Sequence, residues 1–225
     1  MSGRLVVIDG LDGSGKSTQL RRLDEYLAGR GARYKQICFP DYSQPSSALV
    51  KLYLGGAFGG SPEAVNAYAA SSFYAVDRYA SYRQFWQAEY EAGALILAAR
   101  YTTSNAIHQM PKLPQDEWDS YLSWLDDYEY GHLGLPRPDM VLFLDMPPAI
   151  SQQLLTRRYE GHEEKKDIHE RDRNYLLTCR EAALYAAEKG GWRVVPCGGE
   201  DGPLPEAEIT RTRIEFLEKD VTWHD

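Results

Sequence analysis

Short apolar runs recur along the chain, and each is followed by a stretch with helical spacing. The clearest are Leu5–Ile8, Tyr34–Phe39, Leu95–Leu97, Met140–Leu144 and Trp192–Val195. They are nearly continuous rather than alternating, the pattern of parallel strands covered on both faces. The first helix is expected to start within Gly15–Thr18 and to run to about Ala28. Leu20, Leu23 and Leu27 mark its buried face, and Gly29 and Gly31 end it. Ser61-Pro62, a cap followed by proline, predicts the start of a long helix reaching about Tyr90. Further helices are expected across Asp116–Tyr128 and from about Ile168 to Lys189. This alternation predicts a doubly wound, five-stranded parallel sheet with helices on both faces and right-handed crossovers. Arg157–Arg173 stands apart, dense in both charge signs and poor in apolar residues.

Gly10-Leu11-Asp12-Gly13-Ser14-Gly15-Lys16-Ser17 matches the pattern G-x-x-x-x-G-K-[ST], with a strand expected before it and a helix after it. Glycines let backbone N–H groups turn inward around phosphate oxygens, and the helix N-terminus adds positive potential. Gly10, Gly13, Ser14, Gly15, Lys16, Ser17 and Thr18 are therefore expected to cradle a nucleoside triphosphate. Lys16 would reach the β and γ oxygens and the Ser17 hydroxyl would be a Mg²⁺ ligand. A GTPase would also need N-K-x-D after a strand. The nearest string, Glu164-Lys165-Lys166-Asp167, lacks the Asn and lies in the charged segment, which disfavours that class.

Other positions carry two readings each on residue type and spacing. Tyr74 and Arg78, four apart, share a helix face. They suit a ring stacked on a planar base beside a guanidinium on its carbonyl, although spacing alone favours a core ring and a solvated surface charge. Arg100 ends the Ala94–Ala99 strand, where open α/β sheets bind ligands, as a ligand contact or as half of a salt bridge.

A chain of 225 residues suits a single domain over 1–225. Its net charge of -8 argues against general nucleic-acid or anionic-membrane partners, both of which need basic surface. Cys38, Cys179 and Cys197 form no C-x-x-C pair and suggest reduced thiols in a cytoplasm. Val6 to Ile8 is too short for a signal or membrane span.

Several segments in order resemble the thymidylate kinase family, from Arg4 to about Val195. They are the phosphate loop with Asp12, Phe39-Pro40, Phe73-Tyr74-Ala75-Val76-Asp77-Arg78, Arg100-Tyr101-Thr102-Thr103-Ser104-Asn105, and Gly134-Leu135-Pro136-Arg137-Pro138-Asp139 with Val141–Asp145. The resemblance implies a P-loop NTPase-type fold with a mobile lid at about 157–173, ATP and thymidine monophosphate (dTMP) as substrates, Mg²⁺ as cofactor, and a homodimer. It places Asp12, Phe39, Tyr74, Arg78, Arg100, Ser104, Asn105 and His108 around the acceptor. His108 stands where members usually carry an aromatic ring near C2′ of the sugar. Lys16 and Arg100 would be catalytic. Because Gly13 replaces a basic residue of one subtype, Arg157 and Arg158 would supply charge from the lid, with Lys165 and Lys166 behind them. Two positions depart from the family pattern: Ala99 replaces the usual Asp before Arg100, and Asp41 follows Pro40 where many members place an arginine nearby. The alternatives are a kinase of another deoxynucleotide or of a deoxynucleoside, the latter disfavoured because Ala99 stands where its carboxylate base would be, and a module that binds nucleotide without turnover, which Ala99 and Asp41 suggest.

Overall fold

The computed structural model describes residues 2–159, 173–199 and 202–220. Five parallel strands form the sheet: β1 Arg4–Gly10, β2 Tyr34–Cys38, β3 Leu95–Ala99, β4 Met140–Asp145 and β5 Arg193–Pro196. Their order is β2-β3-β1-β4-β5, and every pairing is parallel. The chain therefore leaves β1 in one direction and later returns on its other side, which opens a crevice beyond the carboxyl end of β1.

The apolar strands are buried on both faces because alternate side chains enter different cores. Val6, Ile8, Leu97, Leu142 and Leu144 pack with Leu23 and Leu27 of α1 (Lys16–Gly29) and with Ile209 and Leu217 of α9 (Glu206–Asp220). Leu5, Val7, Ile96, Ala98 and Val141 face the other way, against Trp86 and Tyr101. At the end of α1, Gly31 takes φ +67, and the following N–H of Ala32 bonds the Leu27 carbonyl at 3.2 Å. That is a glycine-dependent helix stop.

Helix boundaries depart from expectation where caps compete. Ser61-Pro62 opens only a 3₁₀ turn, Pro62–Ala64, and Val65 returns to extended backbone. The α-helix proper, α3 (Ala67–Ser81), starts one residue later from Asn66, whose Oδ1 accepts from the Ala69 N–H at 2.8 Å. It passes through a π-turn at Tyr82–Trp86 into the short α4 (Gln87–Glu91). Similarly, the helix expected at 116–128 resolves into α6 (Trp118–Asp126) and a π-turn at Asp127–His132. The helices that follow the later strands, for which the pattern set no bounds, are Ala48–Leu54 (α2), Thr103–His108 (α5), Pro148–Tyr159 (α7) and Glu206–Asp220. The last expected helix is α8, Arg173–Gly190; its expected beginning at 168–172 lies outside the described residues. So does the lid segment, apart from the backbone of the end of α7 and the start of α8. Among the described residues, no helix is long and apolar enough to cross a membrane.

Candidate active site

A cavity of about 1440 Å³ occupies the crevice beyond the carboxyl end of β1. Asp12 to Gln19 line one part of it, and Phe39, Tyr74, Arg78, Ala99, Arg100, Ser104, Asn105 and His108 line another. The phosphate loop needs glycine at Gly10, where φ is +154 and a Cβ would lie 2.8 Å from the Leu144 carbonyl oxygen, and at two further places. Gly15 takes φ +87 at the N-cap of α1, and a Cβ there would meet nothing within 4 Å, so the backbone lies open to a ligand. Gly13 takes φ +78, and its Cβ would lie 2.8 Å from the Ser151 carbonyl oxygen of α7. The Ser14 hydroxyl is buried without a hydrogen-bond partner, a cost that a phosphate oxygen would relieve.

Opposite charges meet at the centre. The Lys16 ammonium donates to the carbonyls of Gly10 at 2.7 Å and Leu11 at 2.8 Å, and lies 3.7 Å from Asp12. Burial, helped by the Arg100 charge, lowers its pKa to about 8 against the pull of Asp12 and Asp9. Arg100 emerges from β3 with φ +63, an uncommon conformation for a residue with a Cβ, fixed by its N–H to the Ile8 carbonyl at 3.0 Å. Its guanidinium bonds Asp12 through Nη2, while Nη1 lies 3.0 Å from His108 Nε2 and 3.9 Å from Asp9. Burial works against that charge, but Asp12 and Asp9 outweigh it and hold the pKa above the ordinary arginine value. Asp9 is fully buried and accepts from the Gly10 N–H and from the hydroxyls of Thr103 and Ser104.

Ser17 and Asp12 both line the cavity and offer a hydroxyl and a carboxylate as oxygen donors. That set fits Mg²⁺, which takes one or two carboxylates and completes its shell with water and phosphate oxygens.

Deeper in, Arg78 is 1% exposed and forms a two-pronged pair with Glu129. Burial disfavours its charge, yet Glu129 more than offsets this and raises its pKa. The Asn105 amide also donates to Glu129, at 2.9 Å, and to the Ser71 carbonyl at 3.2 Å.

A model of the thymidylate kinase family matches residues 8–197. The chain belongs to the thymidylate kinase family. The family's curated members include a thymidylate kinase of Mycobacterium tuberculosis, 28% identical over 211 residues, covering 89% of this chain and 94% of that one. Another, from Caenorhabditis elegans, is 28% identical over 223 residues, covering 94% and 89%. A solved structure of thymidylate kinase from Candida albicans shares the fold, with TM-score 0.70 and 23% identity over 97% of this chain and 92% of that chain.

Within this family fold, the residues expected around the acceptor do gather in one cavity, but several are already engaged. Arg78 is not a solvated surface charge; it belongs to a buried ion pair. Ser104 spends its hydroxyl on Asp9. Tyr74 stands edge-on to Tyr53, with ring centroids 6.4 Å apart. Asp41 accepts from the Ser43 N–H and hydroxyl. Arg157 and Arg158 lie on α7, but their side chains fall outside the described residues, as do Lys165 and Lys166 entirely. The sequence reading missed Asp9, Glu129 and Lys51, the last a further basic residue lining the cavity. Asp9 carried a signal, a lone acid closing an apolar strand immediately before Gly10. Glu129 carried none, because its partners are 51 and 24 residues away.

Proposed function

We propose that this chain transfers the γ-phosphate of ATP to dTMP, giving thymidine diphosphate. The observation that carries the reading is the union, in one cavity, of a P-loop with Lys16, an anion-binding Arg100, and an aromatic and amide-lined end formed by Tyr74, Arg78 and Asn105. ATP lies along Gly10–Thr18 with Lys16 on its β and γ oxygens. Incoming phosphate draws Lys16 from the carbonyls of Gly10 and Leu11 and draws Arg100 from Asp12. Arg100 then clamps the acceptor phosphate, an oxygen of which attacks the γ-phosphorus in line. That nucleophile is already ionised near neutral pH, so no general base is required, and catalysis consists of positioning and charge neutralisation.

Ser17 and Asp12 would hold Mg²⁺, which would neutralise charge on the β- and γ-phosphates. Because Gly13 sits against α7 with no space for a side chain, the basic charge for the transferring group is assigned to Arg157 and Arg158 on that same helix. Lys165 and Lys166 stand in reserve. Phe39 and Tyr74 flank the base and His108 the sugar. Exposed Leu49 and Leu52 on α2 and Val76 and Tyr79 on α3 support a homodimer through these helices. A cytoplasmic location completes the reading.

A coupled assay that follows ADP release from ATP against a panel of nucleoside monophosphates tests this function. The expected outcome is a kcat/KM highest for dTMP. A uniform lack of turnover across the panel would leave only a nucleotide-binding module.

A further inference from the structure

We infer that Glu129 is a positioning residue that sets the hydrogen-bond polarity of the base site, and thereby selects a 4-oxo pyrimidine over a 4-amino one. The inference rests on the dTMP reading above and deepens it.

Glu129 is fully buried and sits in the π-turn Asp127–His132 that follows α6. Its Oε2 accepts from Arg78 Nε at 2.7 Å; its Oε1 accepts from Arg78 Nη2 and from Asn105 Nδ2 at 2.9 Å. One carboxylate thus holds both polar side chains at the deep end of the cavity.

The consequences for each partner follow from counting donors. Arg78 has five N–H bonds. Glu129 takes one on Nε and one on Nη2, and the Tyr101 carbonyl takes one on Nη1 at 3.3 Å. One N–H on each terminal nitrogen remains for a ligand. Asn105 has two amide N–H bonds, and Ser71 and Glu129 take both. A turned-over amide would set its Oδ1 against a carbonyl oxygen and a carboxylate, so only the acceptor end can serve a ligand.

The base edge thus meets a donor from Arg78 and an acceptor from Asn105. Thymine presents the complement, a carbonyl at C4 and N3–H. Cytosine presents the reverse, an amino group at C4 and a bare N3, and would leave buried groups unpaired on both sides. Gln at 129 would keep the volume but replace an acceptor oxygen with a donor. Either orientation then opposes donor to donor, at Arg78 Nε or at Arg78 Nη2 and Asn105 Nδ2, and the Asn105 amide loses its fixed direction.

The test compares wild type, Glu129→Gln and Glu129→Asp, measuring kcat and KM for dTMP, for deoxycytidine monophosphate and for ATP, with folding checked by circular dichroism. Glu129→Gln is expected to lower the ratio of kcat/KM for dTMP to that for deoxycytidine monophosphate about tenfold or more, through KM of dTMP, with KM of ATP unchanged. Glu129→Asp keeps two acceptor oxygens, so the preference survives even where KM rises. It also decides the matter where Glu129→Gln fails to fold. A purely structural role would weaken both acceptors and ATP alike. An unchanged ratio in folded Glu129→Gln, or a lost preference in folded Glu129→Asp, overturns the inference. A wild type that turns over no dTMP overturns the underlying reading, and this inference with it.

Discussion

Lys16 illustrates how a single side chain can be costly to the free protein and useful to the complex. Burial lowers its pKa from 10.5 to about 8. Between those values the unfolded chain binds more protons than the folded one, so this residue's contribution to stability rises with pH across that window. ATP acts in the opposite sense, since phosphate favours the ammonium form. Affinity for ATP is therefore expected to fall as pH rises above about 8, with proton uptake on binding, both measurable by calorimetry in buffers of different ionisation enthalpy. Lys16→Ala should retain the thermal stability of the parent and lose roughly a thousandfold in kcat, because its bonds strengthen where charge develops. Undiminished turnover in a folded variant would remove Lys16 from the chemistry. Ala99 poses a second question at this scale. It is buried at the end of β3 and lines the cavity, where an Asp would join Asp9 and Asp12. Ala99→Asp is expected to lower the Mg²⁺ concentration giving half-maximal rate and to raise kcat about tenfold, equivalent to about 1.4 kcal/mol. If instead the Mg²⁺ curve stays put while KM for dTMP rises, the new carboxylate has captured Arg100 and position 99 does not serve the metal.

Helix α3 carries Tyr74 and Arg78 into the cavity, so its first turn bears on the site. Asn66 caps it, and Asn66→Ala should cost about 1 kcal/mol, read as a lower Tm, with kcat unchanged. A Tm equal to that of the parent would mean that packing of Ala67 and Ala70 alone fixes the start. This boundary also shows what local pattern could and could not reveal. The strands were legible because both faces of a parallel sheet are buried, which leaves unbroken apolar runs such as Leu95–Leu97. Likewise, the phosphate loop was legible because its chemistry is contiguous. The start at Asn66 was not, since Ser61-Pro62 is an equally good local signal and the choice depends on how Val65 leaves the 3₁₀ turn. The π-turns were not legible either, because a widened turn differs from an α-helix only in which carbonyl each N–H meets. Arg78 shows the same limit in the site: spacing put it beside Tyr74, but the buried pair with Glu129 depends on a turn 51 residues away.

For the whole molecule, the strand order reverses around β1, and that reversal brings the P-loop, the end of β3 and helix α3 to one cavity. The same arrangement leaves Leu49, Leu52, Val76 and Tyr79 exposed on α2 and α3. Light scattering is expected to report twice the chain mass of 25.5 kDa, and Val76→Lys with Tyr79→Glu to return it to one chain. A monomeric parent would contradict the proposed dimer without touching the site. The central claim is tested most directly by incubating the protein with γ-³²P-labelled ATP, Mg²⁺ and dTMP, and separating the nucleotides. The account predicts label in thymidine diphosphate, lost when dTMP is omitted and lost again in Lys16→Ala. Label passing to water or to another nucleotide in preference to dTMP would contradict it.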